Sequence, residues 1–195
     1  MTTILAFVAS VFTIISVGSY FKQLIKNESI PNPATWLIWL VVTIINTATY
    51  FLLSNRDIWI SLVSVVLTVG ILSIFIFAMV NGKFIKLGRI EVISLLLAIT
   101  VGVFWQVSND PKLANVALQL VFLISFYPTI IGLLKHHLRE SPLPWFSASI
   151  SYILQILIVF ININSIGIVG FAFPVINLIG NGTVGLISWK QGVRP

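Results

Sequence analysis

Seven long apolar stretches, separated by short polar segments, constrain the fold of this chain more than any other feature. They cover approximately residues 4–20, 34–53, 58–79, 90–105, 113–134, 143–161 and 166–188. A hydrocarbon core about 30 Å thick requires roughly 20 apolar residues per helix, so each stretch predicts one membrane-spanning helix. Because the hydrocarbon core holds no water, each backbone group must bond within its own segment, which favours helices. The sequence therefore predicts an all-α integral membrane protein with seven transmembrane helices.

The composition excludes a water-soluble domain and most catalytic chemistry. Of the residues, 58% are hydrophobic and only 8% are charged, too few to cover a soluble surface. The chain has no cysteine, which excludes disulfides and thiolate ligands. His136 and His137 lie in a basic loop without an acidic or sulfur cluster, so we expect no metal and no cofactor. No acid–base pair or metal-ligand cluster stands at membrane depth, so we expect no catalytic residues and no enzyme activity.

The basic residues predict the orientation of the chain. With the amino terminus outside, the cytoplasmic segments hold nine of the eleven basic residues and the opposite side holds Arg56 and Lys112. The nine are Lys22, Lys26, Lys83, Lys86, Arg89, Lys135, Arg139, Lys190 and Arg194. This bias follows the positive-inside rule. We therefore expect a multi-pass protein of the cytoplasmic (inner) membrane with a cytoplasmic carboxyl terminus. The net charge of +6 then faces membrane lipid rather than nucleic acid.

Two segments of the chain read as diverged copies of one pattern. Each has an aromatic residue near the end of one span, a basic stretch, Glu-Ser, two prolines, and a tryptophan that opens the next span. The first copy runs from Tyr20 to Trp36 and the second from Tyr127 to Trp145. Such repeats predict two parallel three-helix units, residues 1–80 and 111–195, joined by a linker helix with flanking loops at 81–110.

The motifs of the second repeat resemble those of a known family. Tyr127-Pro128-Thr129 ends the fifth span, and the seventh contains Asn177, Gly180 and Gly185. In these motifs the chain resembles the SWEET sugar-transporter and PQ-loop superfamily, seven-span proteins built as three plus one plus three helices. The first repeat retains Tyr20-Phe21 with a displaced Gln23, and Leu67 stands where the family would place a second asparagine. The resemblance implies transport by alternating access with Asn177 facing the substrate. Bacterial nicotinamide riboside transporters share this architecture.

Polar and aromatic side chains at membrane depth are the candidate substrate-binding residues. Asn46 and Gln155 each stand ten residues beyond the tryptophan that opens their span, or about 15 Å deeper. Asn177 and Asn181 lie one helical turn apart on the seventh span. Trp39 lies deeper than the tryptophans near span ends, which we expect to anchor at the interface. Amides at this depth either bond neighbouring helices or line a pathway. We predict a pocket formed by Asn46, Gln155, Asn177, Asn181 and Trp39.

The absence of buried charge indicates the mechanism. All five carboxylates fall in loops or at span ends, and proton-coupled carriers generally need a titratable group along the path. The sequence therefore predicts a facilitative uniporter for a small neutral polar solute such as a sugar. Pro128 and Pro174 are the predicted hinges, with Tyr127 beside the gate. Two alternatives stay open: a carrier of a nucleoside-like vitamin, and a non-transporting receptor similar in architecture to the KDEL retrieval receptors. Homo-oligomer formation is also left open.

Overall fold

Seven long helices form the protein in its computed structural model. The structure describes residues 1–26, 28, 33–82, 88–135 and 140–192, with only the backbone described at Ala34. The helices are α1 (Thr2–Ile25), α2 (Pro33–Leu53), α3 (Ile58–Asn81), α4 (Arg89–Ser108), α5 (Pro111–Leu134), α6 (Pro142–Ile161), the short α7 (Ile163–Ile166) and α8 (Ala172–Gly192). All except α7 are long and apolar enough to cross a membrane. The prediction of seven spans is confirmed, and the described residues contain no strand.

The surface of the helices suits lipid better than water. Large apolar side chains point outward, including Phe7 at 64%, Val69 at 58% and Val107 at 79% exposure. A soluble monomer seldom exposes contiguous apolar surface on this scale. The fold and the composition together fit a multi-pass membrane protein.

Short capped turns join the helices at one end of the bundle. The Asp57 carboxylate accepts hydrogen bonds from the backbone N–H groups of Trp59 (2.8 Å) and Ile60 (3.2 Å) at the start of α3. Asp110 caps α5 in the same way, accepting from the backbone of Lys112 at 2.9 Å and Leu113 at 3.1 Å. Each carboxylate satisfies N–H groups that have no partner within their helix, so the next helix begins directly.

The predicted seventh span is interrupted at its start. Gly167 adopts a φ of 72°, a left-handed backbone conformation that ends α7. A 3₁₀ turn (Ile168–Phe171) follows before α8 begins at Ala172. The seventh span therefore starts two residues later than predicted, and the membrane-spanning segment runs from Ile168 to Gly192. Pro174 consequently lies in the first turn of α8, where its missing N–H interrupts no helical hydrogen bond. The predicted hinge at Pro174 has no helix interior to bend.

The long helices other than α4 pack in a ring in the order α1, α3, α2, α5, α8 and α6, and the first three and the last three are called here the two helix groups. In the first group α3 lies between α1 and α2, and in the second α8 lies between α5 and α6. Between the groups, α1 packs against α6 and α2 against α5, while α4 lies against α5 and α2. A glycine permits close approach within each group. Gly70 of α3 faces Val17 of α1, and Gly180 of α8 faces Phe126 of α5.

Candidate functional site

A cavity of about 300 Å³ lies between the two helix groups. Its walls come from α1, α2, α3, α5, α6 and α8. Trp36 and Trp145, in the first turns of α2 and α6, mark one end, and Thr43 and Tyr152 lie about 10 Å further along these helices. The volume is at the lower limit for ligand pockets, which span about 300–1,000 Å³. The cavity can therefore hold one small molecule.

Asn177 and Asn181 both line this cavity, as the predicted pocket requires. The Asn177 side-chain N–H group donates to the Phe173 carbonyl at 2.9 Å, and that of Asn181 donates to the Asn177 carbonyl at 2.8 Å. These bonds hold the amide nitrogens against their own helix. Neither amide oxygen accepts a hydrogen bond from the described residues, so each remains an acceptor for a ligand.

Aromatic rings form much of the remaining wall. Trp39 lines the cavity and packs against Phe126 at a centroid distance of 5.9 Å. Trp36 and Trp145 also line it, although their positions near span ends predict interfacial anchoring. The Tyr20 and Trp36 rings lie 5.3 Å apart. Whether Trp36 and Trp145 face the cavity or the lipid is decided by tertiary packing, because tryptophans near span ends also occur in lipid-facing positions.

Asn46 is not among the lining residues, because its amide is engaged in a buried network between α2 and α5. Its Oδ1 atom accepts hydrogen bonds from Asn115 Nδ2 at 3.2 Å and from Gln119 Nε2 at 3.1 Å. Asn115 Nδ2 also donates to the Thr49 hydroxyl at 3.1 Å. The structure therefore gives Asn46 an interhelical role. Asn115 and Gln119 were missed in the sequence, although two amides one turn apart in an apolar span indicate a shared polar face.

Gln155 also lies outside the cavity, on its closed side. Its Nε2 atom donates to the Tyr50 hydroxyl at 3.2 Å and to the Ile60 carbonyl at 2.7 Å. Tyr50 donates in turn to the Gly170 carbonyl at 3.1 Å, and its ring packs on Phe173 at 5.3 Å. Tyr50, Phe173 and Gln155 are all fully buried or nearly so. This layer closes the end of the cavity beyond Tyr152.

The predicted gate residues divide between the wall and the outer surface. Tyr127 is 51% exposed and does not line the cavity. Pro128 lies inside α5, where its missing N–H leaves the Ile124 carbonyl without a helical donor. Its neighbours Phe126 and Thr129 both line the cavity. Pro128 therefore lies in the interior of a helix of the cavity wall, whereas Pro174 lies in the first turn of one.

Glu140 lines the cavity, which the sequence analysis did not anticipate. Its Oε2 atom is buried and has no hydrogen-bond partner in the described part of the chain, and the same holds for Trp145 Nε1. Burial raises the pKa of Glu140 from 4.5 to about 7, while the nearby Trp145 indole N–H lowers it by a smaller amount without forming a well-aligned hydrogen bond. A glutamate in a polar loop is normally solvated, so only the folded loop could reveal its burial.

No metal site is evident in the described residues, which contain no group of three His, Cys, Asp or Glu side chains able to hold an ion. His136 and His137 lie outside the described residues. Comparisons with protein-family models, with curated proteins and with solved structures each return no match. The geometry of the cavity is therefore what bears on function.

Proposed function

We propose that this chain is a membrane transporter that carries a small polar solute through the central cavity by alternating access. One observation supports this function above the others: a cavity between the two helix groups whose deepest lining residues on α2 and α6, Thr43 and Tyr152, lie about halfway along these helices. Carriers expose such a site to one side of the membrane at a time. In the proposed cycle, the tryptophan end is the open end of this conformation and the buried Tyr50 layer is the closed one.

The packing supports the interpretation of two parallel repeats. The order of helices within each group is the same, and the contacts between groups are also equivalent, α1 with α6 and α5 with α2. A two-fold axis along the membrane normal would relate both sets of contacts. With the amino terminus outside, the accessible end of the cavity faces the cytoplasm of an inner membrane. This arrangement agrees with the resemblance to the SWEET and PQ-loop superfamily.

Uptake into proteoliposomes tests the proposal. A panel of sugars, nucleosides and small amines would be assayed with the wild type and with Asn177→Ala and Asn181→Ala. We expect at least one solute to be taken up, and a loss of flux of about tenfold in each variant, because each removes an amide acceptor from the cavity. Asn81→Ala is the matched control, since Asn81 also donates to the carbonyl four residues earlier but is exposed.

The same experiment distinguishes a transporter from a receptor that binds the solute without moving it. A receptor of this fold would bind a solute in the cavity, and Asn177→Ala would weaken that binding, but the solute would not cross the membrane. Saturable binding without flux across the whole panel would therefore contradict the proposed transport. Flux that all three variants retain would instead show that the solute does not use this cavity.

A further inference from the structure

Glu140 distinguishes the accessible end of the cavity from the rest of the wall. Among the described lining residues it is the one carboxylate, and none of them is basic. Its Oε2 atom is buried and has no hydrogen-bond partner among the residues that the structure describes. Removing a carboxylate from water is unfavourable unless an opposite charge or a donor replaces the lost hydration. A cation that enters the cavity would provide that replacement.

Aromatic side chains surround the same space. Trp36, Trp39, Trp145 and Tyr20 all contribute to the wall, and the Tyr20 and Trp36 rings lie 5.3 Å apart. The negative face of an indole or phenol ring attracts an ammonium group within about 6 Å of the ring centroid. Several rings around one carboxylate therefore favour a diffuse positive charge over a neutral molecule of equal size.

From this juxtaposition we infer that the cavity binds a small organic monocation of the alkylammonium class, with its nitrogen between Glu140 and the indoles of Trp36 and Trp145. The inference rests on the proposed transport function and names the class of its substrate. It replaces the uncharged solute that the sequence predicts. The amide oxygens of Asn177 and Asn181 would accept hydrogen bonds from a hydroxyl or amine at the other end of the same molecule.

The first repeat contains an internal control for this role. Glu28 occupies the position equivalent to Glu140, since each precedes a serine and a proline pair. Its side chain is 54% exposed and lies 3.8 Å from the Lys26 ammonium. Glu28 does not line the cavity. Neutralising Glu28 removes the same charge from the chain without changing the cavity.

Protonation of Glu140 provides a second readout. The raised pKa of about 7 means that a proton competes with the cation near neutral pH, so cation binding should weaken as the pH falls below 7. The other titratable groups of the described wall are the phenols of Tyr20 on α1 and Tyr152 on α6. Replacing Glu140 by glutamine should remove the pH dependence between pH 6 and 8.

Choline and its uncharged isostere 3,3-dimethylbutan-1-ol are suitable probes. Binding to the purified full chain at pH 8 would be followed by tryptophan fluorescence and by thermal stability. We expect choline to bind about tenfold more tightly than the isostere, from the ring and carboxylate attraction together. Glu140→Gln should remove the share due to the carboxylate and lower this ratio to about twofold, the preference that the rings alone provide, and Glu28→Gln should preserve the full ratio. Equal affinities in the wild type, or a ratio unchanged in Glu140→Gln, would overturn the inference.

Measuring flux in the same preparations separates the inference from the proposed function. Choline binding that depends on Glu140, without choline uptake into proteoliposomes, supports the cation site and contradicts transport. Uptake of an uncharged solute, with no binding of choline, supports transport and contradicts the cation site.

Discussion

Two glycines of α8 provide a test of how closely α8 packs against α5 beside the cavity. A Cβ atom added at Gly180 would lie within 3.0 Å of three atoms of the Phe126 ring, whereas one added at Gly182 would meet only the Ser149 hydroxyl oxygen at 3.8 Å. Phe126 lines the cavity but is only 4% exposed and packs on Trp39 at 5.9 Å, so moving its ring would disturb that contact. Gly180→Ala should therefore overpack the helix interface, and Gly182→Ala should not.

The difference in unfolding free energy between the two variants measures the cost of overpacking. Replacing glycine by alanine inside a helix gains up to about 1 kcal/mol in helix propensity, and that gain is common to both. Inserting a methyl group into a packed interior costs about 1–3 kcal/mol. We therefore expect Gly180→Ala to be less stable than Gly182→Ala by about 1–3 kcal/mol. For a chain of this size that corresponds to a difference of about 2–12 °C in unfolding midpoint.

Thermal unfolding of the detergent-purified variants at one fixed heating rate would test this expectation. The double variant Gly180→Ala with Phe126→Leu serves as the control, because the smaller side chain opens space for the new methyl group. Adding Gly180→Ala to Phe126→Leu should therefore cost less stability than adding Gly180→Ala to the wild type. A Gly180→Ala protein as stable as Gly182→Ala would refute the proposed close contact between α8 and α5.

Three further predictions follow from the polar residues. Because the pKa of Glu140 is about 7 in the folded chain against an ordinary 4.5, the native state binds the extra proton and loses stability as the pH rises from 4.5 to 7. The difference of 2.5 (7 minus 4.5) corresponds to at most about 3 kcal/mol, and Glu140→Gln should remove this pH dependence of the unfolding midpoint. Asn115→Leu and Asn46→Leu should each destabilise the protein, with a coupling energy of about 0.6–1.7 kcal/mol in a double-mutant cycle; additive effects would exclude their hydrogen bond. Since the chain has no cysteine, Lys26→Cys and Asn109→Cys can report orientation: an impermeant maleimide should label Asn109→Cys in intact cells and Lys26→Cys only in inverted vesicles.

The positions of the spans were predictable because hydropathy along the chain directly reflects the length of the apolar helices. The local backbone at Gly167 was not, since the polar residues Asn162, Asn164 and Ser165 indicate a connection there but not the left-handed φ that ends α7. The depth of a residue along its helix could likewise be predicted by counting residues from the start of the span. Asn46 and Gln155 do lie deep in their helices, each three residues beyond the last lining residue, Thr43 in α2 and Tyr152 in α6.

Which side chains share the cavity could not be predicted from depth alone. Whether Asn46 lines a pocket or bonds a neighbouring helix depends on the residue that faces it. In the structure that residue is Asn115 of α5, which donates a hydrogen bond to the Asn46 side chain. The burial of Glu140, two residues before α6, depends on tertiary packing that no periodicity encodes. Asn177 and Asn181 were predictable because they lie one turn apart near glycines that bring neighbouring helices close.

The layer that closes the cavity combines buried aromatic rings packed around Phe173 with hydrogen bonds that join the two helix groups. Asn46 with Gln119, Tyr50 with Gln155, and the hydroxyls of Thr13 and Ser151 at 2.8 Å all meet across it. Water can replace each of these hydrogen bonds at a net cost of about 1 kcal/mol. Separating packed apolar surfaces costs more, because it exposes hydrocarbon to water. These hydrogen bonds are therefore the part of the layer that water could replace, whereas the rings around Phe173 would have to separate before the cavity could open on the opposite side.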